Sequence, residues 1–305
     1  MTQQTPSSPP VCSYEGSDYQ RTFWEQGGRA YEDAAEEIAL RRLLPTQGHL
    51  MLELGAGAGR NTPRYAGYER VVLVDYSRTQ LEQARARLGS SSKHVYVCAD
   101  IYHLPFTAGL FDGATMIRTL HHMAEPRLAL EQVRRTMQQG GIFILEFANK
   151  QNLKAIARYF LRRQRWSPFS PEPVEYVPLN YDFHPATVKT WLSLVGFAVE
   201  RRLTVSHFRI GFLKRLLPLK LLVGMDSLAQ LTGDWWQLSP SVFTRARAAG
   251  EPAAQPAPDA FFNCPACGVD LPEEEHDLVC PGCGRIWPCR DGIYDFRLEP
   301  PTAAE

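Results

Sequence analysis

Near the end of this 305-residue chain, four cysteines stand as Cys264-x2-Cys267 and Cys280-x2-Cys283, a spacing that brings four thiolates onto one Zn2+. Four thiolates close a tetrahedron, so the expected metal is structural and leaves no position open for chemistry. Gly268 and Gly284 follow the second cysteine of each pair and permit the turn that aims backbone N–H groups at sulfur. A second group sits in "MLELGAGAGR", where Gly55, Gly57 and Gly59 follow an apolar run and Asp75 lies at the end of the next one. A tight glycine turn allows close approach to a nucleotide, and the acid can accept both ribose hydroxyls. Glu53 precedes the glycines, and "CAD" puts Asp100 after a third run. His121 and His122 in "IRTLHH" titrate near neutral pH at the edge an acceptor would approach, which makes them candidate general bases. Cys98 and Cys12 read as poor nucleophiles, the first inside a strand and the second in a loose terminus.

These residues need a frame. "LMLEL", "RVVLVDY", "HVYVCAD", "FDGATMI" and "GIFILEF" are strand-like, and they alternate with amphipathic helical runs such as "SRTQLEQARARL" and "EPRLALEQVRRTMQQGG". That alternation predicts an α/β, Rossmann-like, doubly wound and mostly parallel sheet. "GGRAYEDAAEEIALRRLLPTQG" predicts a preceding helix, and "FLKRLLPLKLLVGMDSLAQL" a later apolar and basic one. Residues 1–13 read as a disordered tail, 14–247 as the catalytic domain (a cofactor core over 49–149 and an acceptor side over 150–247), 248–260 as a linker, and 261–299 as a small zinc module.

The formal net charge is zero, yet residues 150–220 carry 13 Lys+Arg against 4 Asp+Glu and residues 251–305 carry 3 against 11. Opposite charge of this size predicts that the acidic zinc module docks on the basic 150–220 region. The same basic segment could instead attract RNA, or meet an anionic amphiphile or membrane surface through "FLKRLLPLKLL". Neither a secretory leader nor a run of 18 apolar residues is visible, so a cytoplasmic protein without a membrane span is expected.

The glycines run G-x-G-x-G rather than G-x-G-x-x-G, and with Glu53 and Asp100 this resembles class I S-adenosylmethionine-dependent methyltransferases. "LPF…FDGATMIRTLHHM…QQGGIFILEF" extends the likeness to the type-11 and ubiquinone-biosynthesis-like enzymes over roughly residues 50–147. The resemblance implies S-adenosyl-L-methionine as cofactor. It places Gly55, Gly57 and Gly59 at its methionine end, Asp75 on ribose, and Asp100 and Ile101 at adenine, with Glu53, Tyr76 and Arg118 completing the cofactor side. It also implies that the N-terminal segment with Trp24 and Tyr31 folds over the cofactor. "CGRIWPCRDGIYDF" is similar to the zinc ribbon family that includes the activating subunit of tRNA, rRNA and release-factor methyltransferases. The tail therefore points to RNA or a translation protein as methyl acceptor, and the core to quinones, lipids or other small molecules. A non-catalytic cofactor-binding regulator is the third reading.

Overall fold

The structure, a computed structural model, describes residues 9–250 and 260–298. After the segment 9–28 comes helix α1 (Ala30–Leu43), followed by strands β1 (Gly48–Leu54) and β2 (Tyr68–Asp75), helix α2 (Arg78–Leu88), β3 (His94–Cys98), β4 (Phe111–Met116), α3 (Pro126–Thr136) and β5 (Met137–Ala148). The acceptor side consists of α4 (Leu153–Phe160), a hairpin of β6 (Val174–Val177) and β7 (Asn180–Asp182), α5 (Pro185–Leu194), β8 (Phe197–Val205), α6 (Gly211–Leu216), α7 (Leu219–Ala229) and β9 (Ser241–Ala248). The C-terminal module contributes β10 (Phe262–Asn263), β11 (Asp270–Leu271), β12 (Leu278–Val279), β13 (Ile286–Trp287), β14 (Cys289–Arg290) and β15 (Ile293–Asp295).

Nine strands form one sheet in the order β14-β15-β3-β2-β1-β4-β5-β9-β8. From β3 to β5 the pairing is parallel, while β9 joins β5 and β8 antiparallel. The middle strands are covered on both faces, which explains their unbroken apolar runs: Val71, Val72 and Leu73, like Phe143, Ile144 and Leu145, are fully buried. Strand β1 has β2 on one side and β4 on the other. That reversal of winding opens a crevice at the carboxyl ends of the strands.

Three expectations need correction. The acidic module docks on the far edge of the sheet from β8, not on residues 150–220. Strand β15 pairs in parallel with β3, Ile293 opposite Tyr96 and Asp295 opposite Cys98, and Phe262, Leu271, Leu278, Trp287 and Phe296 join the same buried cluster as Val95, Val97 and Phe106. An open strand edge offers unpaired backbone groups and an apolar face, and both outweigh screened attraction between surface charges. The module's acids meet other partners: Glu273 pairs with Arg70, Asp291 with Arg78, Asp277 with Arg290 and Asp295 with Arg297.

The long basic helix is two helices, because Pro218 has no N–H to donate and caps α7 instead. Residues 9–13 of the expected loose tail are placed against the domain, with Val11 bridging Met123; residues 1–8 lie outside the described residues. Of the expected linker, Ala248 closes β9 and residues 251–259 lie outside the described residues. Among the described residues, no helix is long and apolar enough to cross a membrane.

Candidate active site

The crevice at the switch point is a pocket of about 980 Å³, part of it open to solvent. Its floor is the turn Gly55–Gly59, whose three glycines all have positive φ, +66°, +52° and +70°. Each is required for a different reason. A Cβ at Gly55 would sit 2.1 Å from Thr119 Oγ1 and one at Gly59 would sit 2.8 Å from Leu88, whereas Gly57 needs only the left-handed backbone that exposes its edge to the pocket. Asp75, at the end of β2, holds the turn: its Oδ2 accepts from Gly57 N at 2.8 Å and its Oδ1 from Ser77 N at 2.9 Å. Burial pushes the Asp75 carboxyl up, and those backbone donors oppose the shift.

Residues 11–24 close over this floor as a lid, with Val11, Tyr14, Tyr19 and Trp24 lining the pocket. Glu15 accepts from Arg78 N at 2.9 Å and Thr79 N at 3.0 Å, supplying a negative charge to the N-terminus of α2. The lid's aromatic side chains pack in sequence, Tyr14 tilted against Tyr19 at 4.6 Å and Tyr19 stacked on Phe23 at 4.9 Å between ring centroids. Trp24 lies against two guanidinium groups, Arg60 at 3.5 Å and Arg118 at 4.9 Å from its ring. Both cations bond to the fully buried Glu36. Burial pushes Glu36 up, but Arg118 and Arg60 outweigh it and hold the carboxyl below its usual range. Arg118 itself adopts φ +55°, and its N–H donates to Glu146 Oε2 at 2.8 Å.

Most of the residues singled out by the sequence converge on the pocket wall: Gly55, Gly57, Asp75, Tyr76, Ile101 and Arg118, with His122 beside them. Gly59 lies behind the wall, packed on α2. Glu53 lies beneath the turn, where it accepts from Thr62 Oγ1 at 2.6 Å. Burial lifts its carboxyl to about 8, against the opposing pull of the Thr62 hydrogen bond and of Arg60 and Arg64. Asp100 bonds to Tyr102 N and approaches His103 Nδ1, capping a short turn rather than lining the pocket. Tyr31 packs in the interior and donates to Asp226, away from the pocket lining.

The two histidines separate. His121 is turned inward, burial depresses its pKa well below 6.5, and its Nδ1 has no hydrogen-bond partner among the described residues. His122 faces the pocket. Its Nδ1 lies 2.9 Å from the carbonyl of Leu179, which can only accept, so Nδ1 carries the proton. Nε2 is then the lone pair, and it receives the Tyr14 hydroxyl at 3.2 Å. Burial lowers the pKa of His122, against a smaller upward push from the Leu179 carbonyl, and raises that of Tyr14. Sequence reading did not find Tyr14, Tyr19 or Leu179. The only signal was a run of aromatic residues, Tyr14, Tyr19, Phe23 and Trp24, in an otherwise polar segment.

In the C-terminal module the four Sγ atoms of Cys264, Cys267, Cys280 and Cys283 lie within 4.8 Å of one another. Cys264 to Cys283 is 3.8 Å and Cys267 to Cys280 is 3.4 Å. A tetrahedron with metal–sulfur bonds of about 2.3 Å has edges of roughly 3.8 Å, so the donor set fits a zinc ion. Gly268 N and Gly284 N bond back to the carbonyls of Cys264 and Cys280, forming the two expected knuckles.

A family model described as a methyltransferase domain matches residues 52–145. The demethylmenaquinone methyltransferase of Clavibacter sepedonicus is 32% identical over 174 residues, covering 53% of this chain and 71% of that protein. The O-methyltransferase cnsE of Penicillium expansum is 32% identical over 135 residues, 40% of this chain, and the match spans about half (48%) of that relative's length. Among solved structures, a complex of the Haloferax volcanii Trm112 methyltransferase activator with a methyltransferase aligns at TM-score 0.55 and 15% identity, over 76% of this chain and 96% of that one. The N-methyltransferase NodS of Bradyrhizobium japonicum, bound to S-adenosyl-L-homocysteine, aligns at 0.50 and 16%, over 77% and 94%. At such identities these two share the fold. The extent and level of the match to the Clavibacter enzyme go further and show kinship: the chain belongs to the class I S-adenosylmethionine-dependent methyltransferases.

Proposed function

We propose that the chain methylates a hydroxylated aromatic small molecule, with His122 as general base and the four-cysteine module as a structural zinc ribbon. The observation that carries this reading is the hydrogen-bonded pair of Tyr14 and His122 on the wall of an aromatic-lidded pocket. When bound, S-adenosylmethionine supplies an already activated methyl group, so the protein's own task is to orient the acceptor, exclude water and take one proton. Gly55–Gly59 and Asp75 would hold the cofactor. The Leu179 carbonyl fixes the His122 tautomer that leaves Nε2 basic. An acceptor hydroxyl seated near Tyr14 passes its proton to Nε2, directly or through the Tyr14 hydroxyl. Its oxygen, or the ring carbon it activates, is then free to take the methyl group.

A quinone-type acceptor is supported by the name of the Clavibacter relative and transfer to an oxygen by that of the Penicillium relative, and enclosure by residues 11–24 suits a small molecule better than a macromolecule. The reading in which RNA or a translation protein is methylated draws on the likeness to the Trm112-bound enzyme and on the zinc ribbon. Here that module sits on the β3 edge through its own backbone, which supports a structural duty within the chain.

His122→Asn tests the base. It removes the basic Nε2, and kcat is expected to fall about 10²–10⁴-fold with KM for the cofactor little changed. Because the folded pKa of His122 is depressed, the neutral, basic form persists below pH 6.5, so the acidic limb of kcat in the wild type lies below 6.5 and is absent in the variant. An acidic limb that persists unchanged in the variant, or a variant with full activity, would remove His122 from this role.

A further inference from the structure

We propose that α6 and α7 form a docking face for an anionic lipid surface. This goes beyond the acceptor reading, since it holds whatever the pocket methylates. Unlike an ordinary surface helix, both helices present apolar side chains to solvent. On α7 the inward side is Leu222 and Asp226, while Leu221, Met225 and Leu228, at i, i+4 and i+7, point to solvent. On α6 the outward pair is Phe212 and Leu216, one turn apart, and none of its residues is buried. Phe212 is 70% exposed and Leu228 73%. Just past α7, Trp235 and Trp236 are 77% and 56% exposed, the residue type that sits at headgroup level.

Scattered exposed apolar residues are ordinary, but a stripe repeating at helical spacing on the solvent side of two successive helices is not. The charge around it selects the occupant. Between Glu200 and Asp226 the sequence has no acid and six basic residues, Arg201, Arg202, Arg209, Lys214, Arg215 and Lys220. Lys214 and Arg209 turn inward to Glu32, whereas Arg215 and Lys220 are exposed. At the far end of α7, Arg42 bonds to Ser227 with Arg41 and Arg201 as like-charged neighbours. Apolar side chains on α6 and α7 beside the exposed Arg215 and Lys220, with no exposed acid on either helix, match an interface of acyl chains beneath anionic headgroups; Asp234, next to the two tryptophans, is exposed and accepts from Arg202 N at 2.8 Å. A second copy of the chain would bring the same cations against each other.

The face is fastened to the cover of the active site. Lys214 Nζ bonds to the carbonyl of Gly28 at 2.9 Å, where the lid joins α1, and Tyr31 OH on α1 bonds to Asp226 of α7 at 2.9 Å. An enzyme seated by this face would hold its lid hinge at the lipid boundary, where amphiphilic acceptors reside.

The test is sedimentation of the full chain with large unilamellar vesicles, either pure phosphatidylcholine or phosphatidylcholine with 30% phosphatidylglycerol. The wild type is expected to pellet with the anionic vesicles and remain in solution with the neutral ones, and binding is expected to weaken as salt rises to 0.5 M. The double substitutions Phe212→Ser/Leu228→Ser and Arg215→Gln/Lys220→Gln change only exposed side chains. Each is expected to lower the partition coefficient at least about tenfold, with the melting temperature and cofactor affinity unchanged. Three results would overturn the proposal: no binding to anionic vesicles, binding unaffected by both double variants, or a concentration-dependent dimer that Phe212→Ser/Leu228→Ser dissolves in a protein that ignores vesicles. All three readouts are independent of methyl transfer, so they separate this face from the acceptor assignment.

Discussion

Cys280→Ser, or removal of the metal with a chelator, is expected to lower the melting temperature of the whole chain and not merely release a tail. A structural zinc supplies on the order of 10 kcal/mol of folding free energy to a small module, comparable with the total stability of a typical domain. In this fold the loss spreads, because β15 is a strand of the main sheet and Phe262 and Phe296 are buried in the core that β3 shares. Without the module, the backbone edge of β3 and the aromatic side chain of Phe106 would face water. Hydrogen exchange would show the spread directly as faster exchange at the amides of β3. The cofactor pocket should feel it as well. Arg297, which follows β15, donates to the carbonyl of Tyr76 at 3.1 Å and lies 3.5 Å from Glu15, so it ties the module both to the end of β2 and to the lid. Arg297→Ala is accordingly expected to weaken cofactor binding about tenfold, since a hydrogen bond from a charged group is worth roughly 1.5–3 kcal/mol. A module that were only a tethered appendage would leave both β3 exchange and cofactor affinity untouched.

Asp75→Ala is expected to have the largest effect on ligand binding, raising the dissociation constant of S-adenosylhomocysteine by about 10²-fold or more in calorimetry. Two losses combine. The side chain that would accept the ribose hydroxyls disappears, and charge-assisted hydrogen bonds of this kind contribute roughly 1.5–3 kcal/mol each. The glycine turn also loses its anchor, because Gly57 N no longer has an acceptor and its left-handed conformation relaxes. Asp75→Asn separates the two effects: the amide oxygen can still accept from one backbone N–H, so the turn is partly kept while the charge is lost. Burial raises the Asp75 pKa, so in the wild type affinity should decline on acidification earlier than it would with an ordinary aspartate.

The sequence carried the core of this fold because that core is written in local patterns. Apolar runs of five to seven residues ending at Gly55 or Asp75 can only be buried parallel strands with a ligand at their carboxyl ends. The CxxC pairs likewise specify a metal site without any tertiary information. What stayed hidden depends on long-range geometry. The pairing of Ile293 with Tyr96 joins residues nearly 200 positions apart, and nothing local distinguishes an edge-seeking strand from one in an independent ribbon. Net charge gave the wrong docking face because Arg70 and Arg78, which receive Glu273 and Asp291, lie outside the conspicuously basic segment. "HH" signalled a base but not which histidine, since that choice rests on the carbonyl of Leu179 and the hydroxyl of Tyr14. Asp100, which carried part of the family resemblance, accepts from Tyr102 N at the turn after β3, a capping contact that an acid after a strand readily makes.

The fate of a labelled methyl group is the most direct test of the proposed activity. The full chain would be incubated with S-[methyl-³H]adenosylmethionine and a reduced cell extract, then separated into organic-soluble, RNA and protein fractions, with Asp75→Ala as the blank. Label is expected in the organic-soluble fraction, lost with Asp75→Ala and strongly reduced with His122→Asn. Label confined to RNA or protein would contradict methylation of a small aromatic acceptor, as would intact cofactor binding with no transfer to any fraction.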